Sequence, residues 1–127
     1  MEYGFSREVP FPYEQAIARV TEELKKEGFG VLTTIDVRET LKNKLGVDFG
    51  KYVILGACNP PLAHRALQEE EQIGLLLPCN VIVYEREGKT VVAAFDPMLM
   101  AQMIGTPAMR AIAEDVKGKL ARAVAAV

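Results

Sequence analysis

Two Cys-Asn pairs, Cys58-Asn59 and Cys79-Asn80, hold the side chains of this sequence best suited to chemistry. A thiolate serves as nucleophile, redox group or soft metal ligand, and a carboxamide offers donors and acceptors together. The stretch Ile54-Leu55-Gly56-Ala57-Cys58-Asn59-Pro60-Pro61 reads as a strand running into a capped helix. There Cys58 would feel unpaired backbone N–H groups and the positive end of the helix dipole, both of which favour thiolate. Cys58 is therefore a candidate catalytic nucleophile or redox thiol; the alternative is a small buried residue closing a strand. Cys79 lies on the apolar side of a strand, where an inert core thiol is the default and a resolving partner for Cys58 the other reading. His64, the only histidine, would be the base of a Cys–His pair or the third ligand beside Cys58 and Cys79. It points away from Leu62, Ala63, Ala66 and Leu67, however, and the spacing matches no zinc motif, so no metal is expected. Asn59 is a helix N-cap and candidate ligand contact. Asn80, in a strand, would need buried partners: it either bonds the Cys58-Asn59 corner or lines a pocket. No cofactor is named by any of these residues.

The elements that must position them follow from periodicity. Tyr3–Val9 reads as a strand. Pro12 opens a helix with Tyr13, Ala16, Ile17, Val20 and Leu24 on one face, stopped by Gly28. Phe29–Ile35 is a second strand. Asp36 with Glu39 resembles a capping box and starts a short helix with Val37, Leu41 and Leu45 on a shared face. Lys51–Cys58 is the third strand, and Asn59-Pro60 begins the next helix, which ends at Glu69-Glu70-Glu71. Leu75–Glu85 and Lys89–Phe95 read as a hairpin turning at Glu87-Gly88. In its first strand Cys79, Val81 and Val83 point one way, and Asn80, Ile82 and Tyr84 the other. Asp96-Pro97 starts a Met-rich turn or short helix, and Thr106-Pro107 a last helix burying Met109, Ile112, Ala113, Val116, Leu120 and Val124. The order β-α-β-α-β-α-β-β-α favours an α+β fold, with a mainly antiparallel sheet and helices on one face, over a flavodoxin-like arrangement.

The chain has 127 residues, half of them hydrophobic and a quarter charged. That composition is expected of one globular domain over residues 1–127. A formal net charge of −2 without a Lys/Arg run argues against nucleic acid and anionic lipid as partners. No apolar run is long enough to span a membrane, and the opening Met1–Glu8 lacks the regions of a signal peptide. The expected location is cytoplasmic, with reduced thiols.

The segments Gly28-Phe29-Gly30-Val31-Leu32-Thr33, Tyr52–Pro60 and Leu75-Leu76-Leu77-Pro78-Cys79-Asn80-Val81 resemble those of domain-of-unknown-function family 302 of bacteria and archaea. The resemblance runs over nearly the whole chain. It implies a β-α-β sheet domain of the broad TATA-binding-protein-like type and a homodimer, but no reaction; fold likeness to a DNA-binding protein is no warrant for DNA binding. Three functions stay open: a small-ligand-binding or accessory domain with a polar site at Cys58, Asn59 and Asn80; a thiol enzyme or redox protein using Cys58; and a partner-binding homodimer subunit whose contact is the cluster of Met98, Met100, Met103 and Met109 or a strand edge.

Overall fold

The computed structural model describes residues 2–127, so Met1 of the opening segment lies outside it. Five strands form one antiparallel sheet in the order β1-β5-β4-β3-β2. They are β1 (Gly4–Val9), β2 (Gly30–Asp36), β3 (Tyr52–Cys58), β4 (Cys79–Arg86) and β5 (Lys89–Phe95). The helices are α1 (Tyr13–Lys26), α2 (Val37–Leu45), α3 (Pro60–Glu69), α4 (Met98–Ile104) and α5 (Pro107–Ala125), with a 3-10 turn at Glu71–Leu76.

Alternation along the strands builds the core. Val53, Leu55 and Ala57 of β3, Cys79, Val81 and Val83 of β4, and Val92 and Ala94 of β5 all turn toward the helices and are buried. Against them lie Ala16, Val20 and Leu24 of α1, Leu62 and Ala66 of α3, and Met109, Val116 and Leu120 of α5. The sheet has helices packed on it, α+β, as its periodicities require. Its other face, with Tyr52, Ile54, Ile82, Tyr84, Ala93 and Phe95, carries no helix among the described residues.

One expectation is corrected and two are refined. The fourth strand begins at Cys79 rather than Leu75. Its neighbour β3 ends one residue past the Ala57–Cys79 pair, and Pro78 has no N–H for a ladder, so the leucines before it coil into the 3-10 turn and leave Leu75 largely exposed. The short helix α2 forms with its Asp36 cap on Glu39 N–H and a left-handed Gly46, yet buries none of its residues. It sits at the end of edge strand β2 with nothing over it. The Met-rich stretch is a true short helix, α4, and its methionines are not one surface: Met100 and Met109 are in the core while Met103 is exposed.

Two tight places hold these layers in register. Gly28, at φ +86°, ends α1; a Cβ there would also come 3.0 Å from the Asn59 carboxamide. Gly56 lies under Thr33 and Pro78, and a Cβ would stand 2.9 Å from the proline ring and collide with the threonine hydroxyl.

Candidate functional site

The ends of β2 and β3, the first two turns of α3 and the approach to β4 enclose a cleft of about 340 Å³. Leu62, Ala63 and Ala66 of α3 form one wall, and Ala57, Leu77 and Cys79 the opposite one. Met100, Ile112 and Val116 close the floor, while Leu32 and Leu67 stand exposed at the mouth. Among the described residues no charged side chain lines it. The cleft is the core continued to the surface.

Cys58 and Cys79 both line this cleft, in different states. Cys58 is half-buried near the mouth, and Cys79 is 5 % exposed on the wall. Burial pushes the Cys79 thiol up from 9.0 to about 11, with a further rise from Cys58 nearby. Cys79 is thus held as a neutral thiol, which disfavours it as an attacking or resolving group.

The start of α3 offers Cys58 fewer backbone donors than its place before a helix suggests. The first two residues of α3 are Pro60 and Pro61, which have no N–H. The third, Leu62, donates to Asn59 Oδ1 at 3.4 Å, and Ala63 donates to the Asn59 carbonyl at 2.9 Å. The helix start thus offers a thiolate far fewer N–H groups than an ordinary first turn. The signal was present in the sequence, since two consecutive prolines at a helix start remove two of its four free donors.

Asn59 is the N-cap of α3, 8 % exposed, and its Nδ2 donates 3.2 Å to the Glu27 carbonyl at the end of α1. It joins two helices while presenting its flank to the cleft. His64 is exposed and absent from the cleft lining. Asn80 pairs with Gly56 across β3–β4 and lies on the open face, exposed, bordering a separate groove of about 830 Å³ with Tyr3, Tyr52 and Tyr84. The structure therefore brings Cys58, Cys79 and Asn59 to one cleft and leaves His64 and Asn80 outside it. The apolar walls at Leu62, Ala63 and Met100 were not singled out as a site, because in sequence they are indistinguishable from core.

The geometry can be set beside known proteins. The model of the family described as domain of unknown function DUF302 matches residues 5–127. The chain belongs to the DUF302 family. A solved structure described as the uncharacterized conserved protein DUF302 from Bacillus stearothermophilus is 36% identical, with a TM-score of 0.91 over 98% of each chain. No curated protein matches this chain. In this DUF302 chain no helix among the described residues is long and apolar enough to cross a membrane.

Proposed function

We propose that this DUF302 chain is a small-ligand-binding domain, acting in the cytoplasm, whose ligand occupies the cleft between α3 and the ends of β2 and β3. One observation carries the reading: an apolar cavity of about 340 Å³ is continuous with the core yet open at Cys58 and Leu67. That volume lies at the lower end of small-molecule sites. An apolar cavity of roughly 150 Å³ already takes up benzene, so this one has room for about ten to twelve carbon-sized atoms. Asn59 and Thr33 supply polar atoms at its border.

The test is thermal unfolding with increasing 1-nonanol. A saturable rise in Tm is expected, following the logarithm of ligand over Kd. It should be abolished in Ala63→Phe, which fills the cleft from a half-buried wall position. A rise of equal size in that variant, or none in the parent, overturns the reading. A thiol enzyme is less well supported, since two of the donors at the helix start beside Cys58 are replaced by prolines and His64 does not line the cleft.

A homodimer is a second reading, favoured by the uncovered sheet face. Five strands at about 4.8 Å and seven residues at about 3.3 Å give roughly 550 Å² in projection, and more in accessible area, approaching the ~800 Å² per partner of a standard interface. The strand residues that carry charge on that face, Glu8, Arg86 and Lys89, all sit at one end. Its centre is apolar and aromatic, with Tyr52 stacked on Tyr84 at 5.4 Å between ring centroids. Sedimentation velocity decides it: a dimer is expected, and a monomer at every concentration tested removes it.

A further inference from the structure

Resting on the ligand-binding reading, we infer that the cleft selects uncharged ligands over anionic ones of the same shape, and that the paired prolines opening α3 are the specificity-determining feature. A helix start at the border of a cavity is ordinarily a place for a carboxylate or phosphate, because its first N–H groups are free and carry the positive end of the dipole. Here that provision is cancelled. Pro60 and Pro61 have no N–H, and the next two donors are consumed by Asn59, one through its side chain and one through its carbonyl.

The donors the cleft does keep are neutral and few: the Thr33 hydroxyl and the second proton of the Asn59 carboxamide. No Lys, Arg or His is among its lining residues, and the Asn59 carboxamide already spends a proton on the Glu27 carbonyl. An anion entering would leave water for a lining of Leu62, Ala63 and Leu77 with no charge to meet it, which is costly. Cys79, in the same lining, reports the same environment: burial there opposes a negative charge on sulfur. The ligand class is thus a neutral, mainly apolar molecule, such as an alcohol, ketone or hydrocarbon of about ten to twelve non-hydrogen atoms, the number that fits the cavity.

The experiment compares 1-nonanol with nonanoate, two probes with the same carbon chain, by thermal shift and by competition for a neutral fluorescent probe. At pH 8, where the acid is ionised, nonanol should bind at least tenfold more tightly. Lowering the pH to about 4.5, within the carboxyl titration range, should bring the acid's affinity up toward that of the alcohol. Pro61→Ala restores one N–H at an exposed position and should raise nonanoate affinity about tenfold to a hundredfold, the scale of one hydrogen bond to a charged group, with nonanol unchanged. Equal affinity for alcohol and carboxylate at pH 8 overturns the inference and leaves the ligand reading standing. So does a Pro61→Ala variant that gains nothing for nonanoate. Binding of neither probe removes the ligand reading itself.

Discussion

Cys79 shows how a single side chain reads out its surroundings. Its thiol is raised from 9.0 to about 11, chiefly by burial. A raised pKa stabilises the fold while the group is neutral in both states. That contribution is fully present below pH 9 and is lost as pH rises toward 11, because the unfolded chain releases the proton first. A two-unit shift corresponds to about 2–3 kcal/mol. Tyrosines and lysines titrate over the same interval, so the difference between the parent and Cys79→Ala isolates the effect. Urea unfolding should show the parent losing about that much more stability than the variant between pH 8.5 and 11; parallel pH profiles would refute it. The apolar setting of Cys79 was legible in the alternation of Cys79, Val81 and Val83. The exposure of Asn80 was not, because period-two patterning separates two faces without saying which of them a helix will cover.

At the scale of elements, the start of α3 matters most. Asn59 accepts from Leu62 N–H and donates to the Glu27 carbonyl, so one carboxamide joins the end of α1 to the beginning of α3. Asn59→Ala should cost about 1–3 kcal/mol, losing the cap and stranding two backbone groups. Asn59→Asp separates the two roles. Aspartate is as good a cap, yet its second oxygen would face the Glu27 carbonyl, acceptor against acceptor, in a nearly buried place. It should therefore be at least as destabilising as alanine; an aspartate variant as stable as the parent would show that the α1 contact contributes nothing. The cap was readable from Asn59-Pro60, and α5 from Met109, Ile112, Val116 and Leu120 at helical spacing, all of them buried. The run Leu75-Leu76-Leu77 misled, since three leucines have no period of their own and the residues that break a strand there, Gly74 and Pro78, stand on either side. The partner of Asn59, thirty-two residues upstream, could not be seen without the fold.

For the whole molecule, the decisive feature is a sheet with helices on one side only. If two copies close on their bare faces, Ile82→Lys, at the centre of that face, should convert a dimer to a monomer while leaving the helix-side core untouched. Sedimentation and circular dichroism together check this, and a lysine variant that still dimerises would move the interface elsewhere. The strand order has another result. The first strand pairs only with the last, Val9 meeting Thr90 and Gly4 meeting Phe95, and Arg7 on that strand donates to the carbonyls of Val124, Ala125 and Val127 at the end of α5. On the ribosome β1 emerges first and must wait about eighty residues for its neighbour, several seconds at ordinary rates of synthesis. Through that interval Gly4–Val9 is an unzipped tooth on a nascent chain, and the sheet grows from its β2 edge across to the other, with its oldest strand the last to be fastened.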